Sequence, residues 1–343
     1  MTQVSLTRRA AIGLGSAALV LGPNACAQSL SDPREPSGVW RLGTALPYAV
    51  QEIYPTRHNG RIHLAGGFIA KDQTISGATD QHIAYDLQSG VWETLAPLPR
   101  ARHHPNLISF NGTLLAIGGF EVGGADAVWQ MQAGIWIFDG ETWRDGPSLP
   151  QPNGESVLAV IADRLHVCGG RTPVGASNAS WNDHNDVADH YVLDRGDGEW
   201  AKAAPLPTAR NSAAAAVIGA DWHVVGGRTV AEGNSAAHEV YDAYEDRWRQ
   251  AAPLPQAQGG LAAGAVGDKL YAFGGEYFDN GGGVYAECWA YSADTDAWSR
   301  LPDMPKPRHG LGAVVVDKEI YLIGGALKVG GRQTSNLVEI FAP

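Results

Sequence analysis

Six Gly-Gly pairs, each closing a short apolar run, punctuate this 343-residue chain: LAGG at Gly66-Gly67, AIGG at Gly118-Gly119, VCGG at Gly169-Gly170, VVGG at Gly226-Gly227, AFGG at Gly274-Gly275 and LIGG at Gly324-Gly325. They recur about every 50 residues, which marks one supersecondary unit used repeatedly. Each pair leads through a variable stretch to an aromatic or aliphatic residue, usually Asp, and then Trp. Tyr85-Asp86 precedes Trp92, Leu193-Asp194 precedes Trp200, Tyr241-Asp242 precedes Trp248 and Tyr291 precedes Trp298; Phe138-Asp139 before Trp143 is a shorter copy. Proline turns follow the tryptophans (LAPLP, DGPSLP, AAPLP, AAPLP, LPDMP). A unit of this size cannot bury both faces alone, so the array must stack and close.

The Gly-Gly, Tyr-Asp and Trp signature resembles the Kelch repeat over residues 38–343. The resemblance implies an all-β fold, a six-bladed Kelch β-propeller with one four-stranded blade per repeat. The last repeat ends at Phe341-Ala342-Pro343 without a Trp strand, whereas Trp40 stands unmatched at the start. The N-terminal strand is therefore expected to join the last blade and close the ring, removing open edges.

Residues 1–27 carry Arg8-Arg9, an apolar stretch from Ala10 to Gly22 and Ala25-Cys26-Ala27, the parts of an export signal resembling the twin-arginine type. The expected location is periplasmic or secreted, with 28–37 as a linker; lipidation at Cys26 is the second choice. The apolar stretch is too short for a permanent span. The net charge of −11 argues against a nucleic-acid or anionic-membrane binder. Beyond the signal only Cys168 and Cys288 remain, in different repeats, and are read as small buried residues rather than a disulfide or metal pair.

In Kelch propellers the start of the innermost strand and the loops after the Gly pairs form one mouth of the channel. Aligned after each proline turn, the six starts read Val50-Gln51-Glu52, Arg102-His103-His104, Asn153-Gly154-Glu155, Arg210-Asn211-Ser212, Gln258-Gly259-Gly260 and Arg308-His309-Gly310. Arg102, Arg210 and Arg308 share one position on alternate blades and are expected to converge as a clamp for carboxylate or phosphate, unless Glu52 and Glu155 neutralise them. Asn211 is a further candidate ligand contact. His103 and His309 beside the arginines are candidate proton carriers. The residue after each Gly pair (Phe68, Phe120, Arg171, Arg228, Glu276, Ala326) is expected at the same mouth. Arg171 and Arg228 count there as ligand-binding candidates, and Glu276 counts as catalytic.

The loop 171–190 contains Asp183, His184, Asp186, Asp189 and His190 at no recognised metal-ligand spacing, and it reads as a solvated polar loop. No metal and no cofactor are expected. The chain carries no phosphate-binding glycine loop and no Gly-x-Ser-x-Gly elbow. At the level of fold and compartment it is similar to N-acetylneuraminate epimerase, but that enzyme's Glu and Arg spacing after a strand-end glycine is not reproduced around Glu276. Two classes of function fit. One is an isomerase or lyase acting on a small anionic carbohydrate or organic acid. The other is a non-enzymatic propeller that binds a glycan or a protein. A monomer is expected.

Overall fold

The computed structural model describes residues 38–72, 74–124, 126–194 and 198–343; the expected export signal and linker lie outside the described residues. Among them, six four-stranded antiparallel sheets follow one another along the chain. Blade two is typical: Asn106–Phe110 is innermost, followed by Thr113–Ile117, Ile135–Phe138 and Trp143–Asp145. The inner strands of the other blades are Thr56–His58, Val157–Ile161, Ala214–Ile218, Ala262–Val266 and Gly312–Val316. These strands touch their neighbours in succession, and Thr56–His58 touches both Asn106–Phe110 and Gly312–Val316. The sixth sheet takes its outer strand, Val39–Leu42, from the N-terminal side, with Trp40 opposite Phe341.

Each blade's outer Trp binds the blade before it. The indole N–H of Trp143 donates to the Ala96 carbonyl, 3.1 Å away in the preceding proline turn. Trp92, Trp200, Trp248 and Trp298 make the same bond to Thr44, Pro147, Ala204 and Ala252. Trp40 makes it to Pro302 at 3.3 Å, so the N-terminal strand works as the sixth blade's outer strand. Satisfying the indole N–H lets the large ring stay in the seam between blades.

The Gly-Gly pairs stitch blade to blade on the inside. The N–H of the second glycine donates to the carbonyl of the residue that opens the next blade: Gly67 to Arg102, Gly119 to Asn153, Gly170 to Arg210, Gly227 to Gln258, Gly275 to Arg308, and Gly325 to Val50. Both glycines of each pair have positive φ. A Cβ on Gly274 would sit 2.3 Å from the Arg308 carbonyl oxygen, so only glycine permits this approach.

The opening residue's side chain then turns into its own blade and donates to the carbonyl of the first glycine, sixteen residues on. Arg102 reaches Gly118, Asn153 reaches Gly169, Arg210 reaches Gly226, Gln258 reaches Gly274 and Arg308 reaches Gly324. This corrects the expected clamp of Arg102, Arg210 and Arg308. Arg210 bonds the Thr208 and Val224 carbonyls and pairs with buried Glu239. Arg308 repeats the arrangement with Lys306, Leu322 and Glu339. Arg102 pairs with Glu121 at 2.8 Å and stacks on Trp136. All three are about 1 % exposed or less. Buried and bonded inside its own blade, none of the three guanidiniums faces the cavity at the channel mouth.

Three blades carry a buried histidine pair across their two middle strands: His63 with His82, His166 with His190, and His223 with His238, at 2.9–3.0 Å. His82, His190 and His238 donate from Nδ1 to the Ala96, Ala204 and Ala252 carbonyls that also receive the next blade's Trp. Burial is the main force holding the pairs neutral, with His63, His166 and His223 pushed down to about 3 and their partners to about 4. The two free cysteines are also buried.

Two predictions follow from these contacts. Unfolding frees the paired histidines to take up protons at their ordinary value near 6.5. The unfolded chain therefore binds more protons between about pH 4 and 6.5, and the stabilisation present above that window is lost as pH falls through it. The urea midpoint should drop between pH 7.5 and 5, before ordinary carboxylates titrate, and a flat profile would exclude this role for the pairs. Arg210→Ala leaves Glu239 buried without its counter-charge and should lower unfolding stability by about 3–5 kcal/mol. Equilibrium denaturation reads this directly, and an undiminished midpoint would contradict it.

Candidate functional site

The third residue of each blade opening has a left-handed backbone: Glu52, His104, Glu155, Ser212, Gly260 and Gly310 have φ between 48° and 68°. Their backbones meet around the axis. The N–H of Glu52 donates to the Gly310 carbonyl, His104 to Glu52, Ser212 to Glu155, Gly260 to Ser212 and Gly310 to Gly260, over 2.7–3.2 Å. This girdle separates the narrow channel between the inner strands from a cavity of about 830 Å³ on the outer side. The left-handed conformation is normally glycine's and costs other residues roughly 1–2 kcal/mol. Glu52, His104 and Glu155 accept that strain, and all three line the cavity.

Their side chains form one charged floor. His103, sandwiched between Phe68 and Phe120, donates from Nε2 to the Val128 carbonyl at 2.8 Å. Burial holds this ring neutral, so its Nδ1 accepts from His104 Nδ1 at 2.7 Å. His104 Nε2 in turn lies 2.9 Å from Glu52 Oε2. Burial alone would raise the Glu52 carboxyl, but His104, His309 and Arg228 bring it down to about 2. Glu155 accepts from Ser212 Oγ at 2.7 Å and pairs with Arg171 at 3.3 Å. Burial pushes it upward too, yet His104, Arg171 and Arg228 hold it below the usual carboxylate range. Arg228 Nη1 lies 3.0 Å from Glu276 Oε1.

The loops after the Gly pairs raise the walls. Phe68, Trp129, Trp181, Tyr277, Phe278 and Tyr285 supply aromatic surface, and Asn234 adds an amide. The Arg171 guanidinium stacks 3.7 Å from the centroid of the Trp181 ring. Trp181 belongs to the short 3₁₀ turn Trp181–Asp183, where Asp183 accepts the N–H groups of Ala179 and Ser180.

Of the candidates read from sequence, Glu276 and Arg228 line the cavity. Arg171 lies behind Trp181. Asn211 is buried and donates to Asp186, so it holds a wall loop rather than facing the cavity. His103 lies beneath the floor, where it orients His104. His309 is 1 % exposed, with Nε2 directed at the Lys328 and Gly330 carbonyls. Arg102, Arg210 and Arg308 stay within their blades. Glu52 and Glu155 neutralise His104 and Arg171, not those three arginines. The loop 171–190 is less solvated than its composition suggests: His184 and His190 are 1 % exposed, and Asp186 ties Asn211 to the Val230 N–H.

Sequence reasoning gave His104 no role and read Glu52 and Glu155 only as neutralisers of the arginines. The signal was there in the third position of the aligned openings, where Gly260 and Gly310 mark a backbone that needs positive φ. A Glu or His in that column is the anomaly.

Comparison with known proteins agrees with the architecture. The KLHDC2/KLHL20/DRC7 Kelch-repeats domain matches residues 145–325, more than half of the chain. Kelch-like protein terF of Aspergillus terreus (strain NIH 2624 / FGSC A1156) is 27% identical over 199 residues, covering 56% of this chain and 41% of that protein. Kelch repeat and BTB domain-containing protein 12 of Danio rerio is 27% identical over 145 residues, covering 38% and 23%. Kelch-like protein 40 of Xenopus laevis is 34% identical over 115 residues, covering 33% and 18%. The chain thus spans less than half the length of these relatives. The domain match, the six Gly-Gly stitches and the six four-stranded sheets have one conclusion: the chain belongs to the Kelch-repeat family.

Proposed function

We propose that the cavity binds a small polyhydroxylated molecule, a carbohydrate, over the charged floor. The observation that carries this reading is the pairing of an aromatic wall with a floor of mutually bonded carboxylates, guanidiniums and an imidazole ring. Sugars present apolar C–H faces that lie on aromatic rings, and hydroxyls that both donate and accept. A few placed polar groups in an otherwise apolar concavity suit such a ligand. The anionic ligand expected from Arg102, Arg210 and Arg308 loses its clamp, and the cations left at the site, Arg171 and Arg228, already face Glu155 and Glu276. A neutral sugar therefore fits better than a sugar acid.

Glu52 and His104 at 2.9 Å form an acid–base couple at the cavity floor. Such a couple can take a proton from one oxygen and return one to another, which is what opening and closing a sugar ring requires. An isomerase is accordingly the chemistry we favour over elimination. A second reading, docking of a protein or peptide, is favoured by one observation: Phe278, Val230, Val174 and Val122 are exposed on the loops around the mouth. The Arg8-Arg9 pair and the Ala25-Cys26-Ala27 end support export of the chain. A mature protein recovered outside the cytoplasm that still began at Met1 would refute that part.

Calorimetry with a panel of neutral monosaccharides and sugar acids tests the ligand reading. At least one neutral sugar should bind, and Trp181→Ala should weaken it by about tenfold through loss of the stacking surface. Binding confined to sugar acids, or to no member of the panel, would overturn it.

A further inference from the structure

We propose that Glu52, Glu276 and His309 form a binding site for a divalent transition ion of the zinc or manganese class at one side of the cavity floor. One ligand atom from each, the two carboxylate oxygens and a ring nitrogen, lie within 4.8 Å of one another. His309 Nδ1 is 3.5 Å from Glu52 Oε1 and 3.4 Å from Glu276 Oε1. Two atoms each about 2.1 Å from one tetrahedral ion sit roughly 3.4 Å apart, so these separations are those of neighbouring ligands around a common centre.

The direction of the lone pairs makes the same point independently. His309 Nε2 lies 3.0 Å from both the Lys328 and Gly330 carbonyls, which can only accept, so the ring proton belongs on Nε2. Nδ1, the nitrogen that faces the two carboxylate oxygens, is buried and has no hydrogen-bond partner among the described residues. Two carboxylate oxygens facing one point repel unless a cation lies between them, either a proton on Nδ1 or a metal ion in its place.

The second atom of every ligand is fixed from outside. Glu52 Oε2 meets His104 Nε2 at 2.9 Å, and Glu276 Oε2 accepts the Gly330 N–H at 2.8 Å. Outer-shell bonds of this kind hold metal-binding side chains in place. The backbone makes room as well: a Cβ on Gly310 would lie 2.7 Å from the Glu52 carboxylate. Arg228 shares Glu276 Oε1, whose other lone pair remains for the ion. Glu52 and Glu276 both line the cavity, so a further coordination position would open toward whatever the cavity holds.

The test is made on the full-length, untagged protein without any sugar, so it stands or falls apart from the carbohydrate reading. After chelator treatment, Zn²⁺ and Mn²⁺ are titrated separately by calorimetry, and thermal unfolding is followed with and without each ion. One equivalent of at least one ion should bind and raise the unfolding midpoint. His309→Gln should weaken that binding by about a hundredfold or more, since loss of an outer-shell partner alone costs about 10–100-fold. Glu276→Gln, nearly isosteric, should do the same if the histidine variant fails to fold. A wild-type protein that binds neither ion overturns the site. So does unchanged affinity in the variants, because the ion would then be held elsewhere; in that case the three acceptors share a proton as a buried imidazolium.

Discussion

The hydrogen bond from the second glycine of each pair to the opening carbonyl of the next blade is the contact on which the rest depends. It fixes where one sheet ends relative to the start of its neighbour. Once that spacing is set, the opening residue's side chain has the first glycine's carbonyl within reach, and the outer Trp falls in register with the preceding proline turn. The bond from Gly325 to Val50 applies the same rule between the last blade and the first. Glycine is needed because the two backbones approach within what would be the radius of a methyl group. The hydrophobic effect drives the blades together, but this polar stitch decides how they meet.

The floor of the cavity follows from the same geometry. Two residues beyond the stitch, every blade turns through a left-handed residue, and that turn aims its side chain at the axis. Sites that hold non-glycine residues in this conformation store strain that the surrounding structure must offset. Here side-chain bonds to neighbouring blades provide the offset, Glu52 with His104 and Glu155 with Ser212. The cationic groups beside them, Arg228 among those shared, keep the two carboxylates ionised against the cost of desolvation.

Much of the fold was legible in the sequence because it rests on residues with no substitute. Six Gly-Gly pairs and their tryptophans mark strand ends and blade seams, and Trp40 at the wrong end of the chain shows which strand completes the last sheet. The site was harder to read. Arg102, Arg210 and Arg308 form the most conspicuous column in the repeat, and charge at a repeated position suggests a ligand. Sequence does not tell that the next turn brings a glycine carbonyl and a buried glutamate within reach of the same guanidinium, as Gly226 and Glu239 are of Arg210. The two arginines that do approach the cavity, Arg171 and Arg228, come from a column mixed with Phe, Glu and Ala, where periodicity gives no emphasis. Likewise the histidine pairs were invisible, since His63 and His82 are nineteen residues apart and meet only across paired strands.

The girdle of left-handed residues has one more consequence. Its backbone bonds do not involve side chains, but the identity at each position is tied to its neighbours: a Cβ on Gly310 would lie 2.7 Å from the Glu52 carboxylate, and Ser212 donates to Glu155. Three of the six are already occupied by groups that can exchange protons or charge, and the other three by Ser212, Gly260 and Gly310, which leave space. The floor therefore behaves like a combination lock, in which each setting constrains the next. Its chemistry changes only by matched steps on neighbouring blades, while the half left bare gives an incoming molecule only one way to face.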